Sequence, residues 1–167
     1  MRLRYSLIVA LASVLMLAPS FAQAATGFVA TLSALNEVPP NASPATGTAT
    51  AILSDDGLTL SYTVTYSGLT ANRTASHFHA IGCPGINAGV QLAIAGAGPT
   101  SDTITGSGPV NATLLTGLTT ACSGGSVAVY LNVHSGNFPG GEIRGQLFPD
   151  VTPSRNVTWG RIKMLYR

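Results

Sequence analysis

Residues 58–66 read Leu-Thr-Leu-Ser-Tyr-Thr-Val-Thr-Tyr, an unbroken alternation of large apolar and small polar side chains. Successive side chains of a β-strand point to opposite faces. The run therefore puts Leu58, Leu60, Tyr62, Val64 and Tyr66 on a core face, and Thr59, Ser61, Thr63 and Thr65 on a solvated one. Asp55-Asp56-Gly57 just before it is a hairpin turn signal and predicts pairing with residues 48–53. Further strands are predicted over 27–35, 75–81, 90–93, 102–106, 128–134 and 142–148, with a short helical turn at 113–118. Pro- and Gly-rich breaks such as Pro84-Gly85 and Phe138-Pro139-Gly140-Gly141 punctuate them. Seven or eight short strands with frequent turns predict an all-β, antiparallel sandwich or barrel.

The first 24 residues differ from the rest. Arg2 and Arg4 precede an apolar stretch, and Ala22-Gln23-Ala24 has the small-x-small form of a cleavage site. This is the pattern of a secretory signal peptide, and the apolar stretch is short of the ~20 residues that span a bilayer. The expectation is export, to a secreted or periplasmic location, with one domain at 25–149. Without Arg2 and Arg4 the remaining Lys/Arg and Asp/Glu are six each, so the chain's net charge of +2 vanishes. A nucleic-acid partner then has no electrostatic basis. Residues 150–167 carry Arg155, Arg161, Lys163 and Arg167 without clear periodicity, and are expected to form a disordered basic tail. Cys83 and Cys122 are the two cysteines, and in an oxidising compartment a disulfide is expected over buried thiols or a thiolate ligand. It would close a loop of about 40 residues and contribute about 4 kcal/mol on the chain-entropy account.

Several short motifs occur in order. Asn36-Glu37-Val38-Pro39-Pro40 is followed by Ala45-Thr46-Gly47, Ser67-Gly68-Leu69 and His77-Phe78-His79-Ala80. Then come Tyr130-Leu131-Asn132-Val133-His134 and the run from Phe138 through Gly140-Gly141-Glu142-Ile143-Arg144-Gly145-Gln146-Leu147. Together they resemble a complete CHRD domain, the module repeated in the secreted protein chordin, over roughly residues 27–148. The resemblance implies an immunoglobulin-like β-sandwich or barrel in an extracytoplasmic protein, and implies little about mechanism. Chordin binds secreted growth factors, but the cysteine-rich modules that accompany its repeats are missing here, so that partner is not carried over.

The chain's three histidines are His77, His79 and His134. On a strand, residues i and i+2 share a face about 7 Å apart, close enough for two imidazoles to meet one ion at about 2.0–2.1 Å. If the strand of His134 lies alongside, a three-histidine site for copper, zinc or nickel results, and copper is preferred only because exported histidine-rich sites often carry it. The plainer reading puts His77 and His79 on a solvated face with Phe78 in the core. Asn132, Glu142 and Arg144 are candidates to orient the rings. The His-x-His strand followed by Gly82-Cys83 is also partly similar to the copper strand of Cu/Zn superoxide dismutases. Those enzymes use six histidines and an aspartate for two metals, which excludes a binuclear centre here.

No serine-nucleophile motif, phosphate loop or cofactor fingerprint is present, so no catalytic residue is assigned. Glu37 and Glu142 could face each other as an acid/base pair or be structural. The four Asn-x-Ser/Thr sequons, at Asn41, Asn72, Asn111 and Asn156, would matter only in a glycosylating host. The expected function is a non-enzymatic exported binding protein holding one metal ion. The alternatives are a metal-free module that binds an extracellular protein or glycan, and a mononuclear copper or zinc redox enzyme.

Overall fold

The computed structural model describes residues 26–150. The expected signal at 1–24 and the basic segment from Val151 lie outside the described residues. The elements are β1 (Thr26–Ser33), β2 (Thr46–Leu53), β3 (Thr59–Ser67), β4 (Arg73–Ala80), β5 (Val90–Ala95), β6 (Asp102–Pro109), α1 (Ala112–Thr119), β7 (Val129–Ser135), β8 (Ile143–Gln146) and β9 (Phe148–Pro149). They form one antiparallel sheet in the order β5-β4-β7-β8-β1-β2-β3-β6, with β9 paired to β1. The two end strands meet, since a Cβ on Gly108 of β6 would touch Leu92 of β5. The sheet is thus a nearly closed barrel, in agreement with the all-β antiparallel expectation.

The alternation in β3 is obeyed. Leu60, Val64 and Tyr66 are buried, while Thr59, Ser61, Thr63 and Thr65 are exposed. Register carries the pattern across the sheet: Ala49 pairs with Val64 on the inside and Thr50 with Thr63 on the outside. Phe28, Leu32, Phe78, Leu131, Val133 and Ile143 complete the barrel interior. Each such side chain contributes roughly 1.5–3 kcal/mol on burial. Helix α1 is capped by Asn111, whose side chain accepts a bond from Leu114 N at 2.8 Å, and it buries Leu114 and Leu118.

Three expectations shift. Leu58 precedes β3 and is 63 % exposed, because the Ser54–Gly57 turn holds it outside the ladder. The first strand stops at Ser33, and a 3-10 turn at Ala34–Asn36 swings Leu35 outward. The predicted strand 142–148 is divided, β8 pairing with β7 and β9 with β1. Cys83 and Cys122 form the expected disulfide, with Cα atoms 5.6 Å apart.

Candidate metal centre

Strands β4 and β7 run antiparallel with Ala75 opposite His134, His77 opposite Asn132 and His79 opposite Tyr130. Residues opposite one another share a face, so all three histidines project from the outer surface of the barrel. His134 lies diagonal to His77, and His77 Nδ1 is 3.2 Å from His134 Nε2. The His79 ring centre is 5.7 Å from that of His77 and 6.3 Å from that of His134. One ring nitrogen from each residue lies within 4.8 Å of the others. Nitrogens bound to one ion are at most about 4.1 Å apart. The widest pair would close by under an ångström, within reach of small side-chain rotations.

Backbone carbonyls set the tautomers. His79 Nδ1 donates to Ala88 O at 2.9 Å, and His134 Nδ1 donates to Pro139 O at 2.9 Å. Each therefore presents the lone pair of Nε2, and that of His79 is buried without a hydrogen-bond partner. His77 Nδ1 donates to His134 Nε2 at 3.2 Å, and would become the third ligand atom once its proton moves to Nε2 and both nitrogens turn to an ion. A carbonyl behind a metal-binding imidazole fixes ring orientation and raises its basicity as a ligand. The chemistry of the donor set thus fits a transition-metal ion.

Electrostatics favours the uncharged rings. Burial depresses His79 to about 4, and the positive fields of His77, His134 and Arg144 act in the same direction. His77 is lowered by burial and by His134, and His134 by burial against the opposing Pro139 bond. Neutral imidazole is the form that ligates, so little proton displacement is needed near pH 7.

A second layer supports these rings. The Tyr130 ring stacks on His79, 4.7 Å between centres and 4° from parallel. Tyr130 Oη donates to Ala88 O and accepts from Ala88 N, fastening the loop that holds His79. Beyond Tyr130 lies Arg144, its guanidinium carbon 3.4 Å from the ring centre. Arg144 donates to Asn87 Oδ1 and to the carbonyls of Ile86 and Cys83, so the disulfide-anchored loop wraps this stack.

The residues expected to orient the rings bond elsewhere. Asn132 Nδ2 donates to Glu37 Oε2 at 3.4 Å. Glu142 accepts from Ser43 Oγ at 2.6 Å and from Thr70 N at 2.7 Å. Arg144 reaches His79 through Tyr130. Glu37 and Glu142 therefore hold different partners and opposite electrostatic states. Burial raises Glu37 to about 7 against the pull of Arg144. Glu142 is lowered: bonds from Ser135, Ser43 and Thr70 outweigh its desolvation. Gly141 makes the crowding possible, because a Cβ there would collide with Asn132 and with Glu37 Oε1.

Tyr130 is a supporting residue that sequence reasoning missed. Its even spacing from Asn132 and His134 was the available signal, since all three share a strand face. The carbonyls of Ala88 and Pro139 had no such signal, because any residue supplies one.

Beside the centre, a groove of about 860 Å³ runs over the outer face of β1 and β2, lined among others by Val29, Leu35, Glu37, Arg144 and Phe148. Among the described residues no helix is long and apolar enough to cross a membrane. No curated protein and no solved structure matches the chain significantly. The family model of the CHRD domain matches residues 28–147, most of the chain and all three histidines. With that match laid over a nearly closed antiparallel barrel, the chain belongs to the CHRD domain family.

Proposed function

We propose that this CHRD-domain protein is exported and holds one transition-metal ion, copper in preference to zinc, through His77 Nδ1, His79 Nε2 and His134 Nε2. It acts as a binding or delivery protein rather than an enzyme. The observation that carries this reading is the convergence of three neutral imidazoles from two strands, two of them oriented from behind by backbone carbonyls. Nitrogen donors of this kind suit copper, zinc and nickel, and divalent affinity peaks at copper. The nearby carboxylates Glu37 and Glu142 are bonded to Asn132, Ser43 and Thr70 rather than to the rings, which favours a holding role over a catalytic one. When bound, the ion would be the cargo, and the protein's part is to keep the rings neutral, aligned and half-shielded from water.

The test is titration of the purified protein with copper and zinc, with elemental analysis, beside a His77→Ala/His79→Ala variant. One equivalent bound by the wild type and lost in the variant is expected. Binding that is absent, or unchanged in the variant, overturns the reading and leaves a metal-free protein- or glycan-interaction module. Export is tested separately by N-terminal sequencing of the secreted or periplasmic product, expected to begin at Ala25. A product retained in the cytoplasm with residues 1–24 intact would refute it.

A further inference from the structure

The geometry points to a centre that prefers copper in its monovalent state. Three uncharged imidazoles hold the ion, and the buried Arg144 guanidinium, stacked through Tyr130 on His79, sets a fixed positive charge behind it. This rests on the metal-binding reading above and concerns which ion that site selects.

The donor set carries no negative charge. A divalent ion bound to it leaves two uncompensated positive charges, a monovalent ion one. Arg144 is 1 % exposed, and its guanidinium carbon lies within about 8 Å of the His79 ring centre, across a single tyrosine ring. The bonds it donates go to a neutral amide and to backbone carbonyls, none of which cancels its charge. Guanidinium stays protonated in proteins, so the field is permanent. The compensating anion in this region is Glu37, and burial raises it to about 7, so near neutrality it is only partly charged.

At roughly 10 Å and an effective dielectric of about 20, one further unit of positive charge costs on the order of tenfold in affinity. That penalty falls on Cu(II) and Zn(II) more than on Cu(I). Coordination number acts in the same direction. Three nitrogens can satisfy Cu(I), whereas Zn(II) in a structural site takes four ligands. His77 and His134 remain partly exposed, so an ion held there has a route in and out.

Affinities for Cu(I) and Cu(II), measured by chelator competition at pH 8 in the absence and presence of oxygen, test the inference. The proteins compared are the wild type, Arg144→Gln, Arg144→Lys and Glu37→Gln. Arg144→Gln should move the affinity ratio about tenfold toward Cu(II) and lower the copper reduction potential. Arg144→Lys keeps the charge and should stay near the wild type, which separates charge from packing. Glu37→Gln removes the partial compensation and should move the ratio toward Cu(I). An unchanged ratio in a folded Arg144→Gln protein overturns the inference while leaving metal binding intact. If that variant does not fold, Glu37→Gln decides, and no shift or a shift toward Cu(II) overturns it. A wild type that binds no copper overturns the proposed function and this inference together.

Discussion

The β2–β3 hairpin and the β4–β7–β8 region belong to one sheet, but their outer surfaces have opposite fates. On β2 and β3 the outward residues are small hydroxyl side chains such as Thr48, Thr50, Thr63 and Thr65, left exposed to water. On β4, β7 and β8 the outward residues are His77, His79, Tyr130, Asn132, His134, Arg144 and Gln146. Most of these are buried under loops around residues 36–41, 82–89 and 136–142. The first region has one dry face. The second has two, one apolar and one built of rings, a guanidinium and a carboxyl. Buried polar groups need partners, and the covering loops supply them through Ala88, Pro139, Ile86 and Asn87. A strand pattern alone therefore does not bring partners to an outer face; a covering of loops does.

The sharpest way to break this comparison is to move the motif. Thr63→His/Thr65→His creates the same i, i+2 pair on the bare face of β3, and metal titration should find no tight site there. Removing the native pair with His77→Ala/His79→Ala should abolish tight binding, because a single imidazole is left to hold the ion. Tight binding by the transplanted pair would show that the covering loops are dispensable.

Between the two histidines, Phe78 points the other way, into the core, with its ring centre 5.7 Å from that of Tyr62. Phe78→Ala should lose about 3–5 kcal/mol of stability by denaturant unfolding. A loss below about 1 kcal/mol would mean that the inner face is not packed as described.

The loop that covers the site is anchored by Cys83–Cys122. Cys83→Ser/Cys122→Ser should cost about 2–5 kcal/mol in unfolding experiments. It should also weaken metal binding several-fold, since the same loop carries the Ala88 carbonyl. Loss of stability with unchanged affinity would separate the loop from the site.

A smaller effect is expected from pH in the metal-free protein. His79 is lowered from 6.5 to about 4, so on acidification the unfolded state binds its proton first. Its contribution is intact above about pH 6.5 and drains away toward pH 4, by roughly 2–3 kcal/mol. Glu37, raised from 4.5 to about 7, opposes this, because the folded state holds its proton longer and loses stability as pH rises through that window. Glu37→Gln should therefore steepen the rise of stability between pH 4.5 and 6.5. Urea midpoints across that range check it, and an unaltered profile would remove Glu37 from the account. Smallest of all, Thr63→Ala on the exposed face should change stability by no more than about 0.5 kcal/mol in the same assay.

Legibility in the sequence followed the same division. The β3 alternation gave the correct faces because one side of that strand meets water and the other does not. In β8 every residue from Ile143 to Gln146 is buried, so alternation there carries no inside–outside message. The three histidines could be named from spacing and chemistry, but their meeting depended on the β4–β7 register, which pairs Ala75 with His134. Asn132, Glu142 and Arg144 were picked out as ring-orienting residues, yet they contact Glu37, Ser43 and Tyr130, because direct contact depends on loop paths that no strand period encodes.

Sequence by itself determined the all-β antiparallel class, the hairpin at Asp55-Asp56-Gly57, the family, and the three histidines as the residues to watch. Period, turn chemistry and motif order are local properties and survive in a one-dimensional string. Tertiary structure alone decided that β7 lies beside β4 and that a carbonyl stands behind His79 and another behind His134. It alone placed Tyr130 and Arg144 in one stack and left Glu37 buried. Each of these joins residues far apart in the chain through the sheet register and the covering loops, where burial changes both the partners and the charge of a side chain.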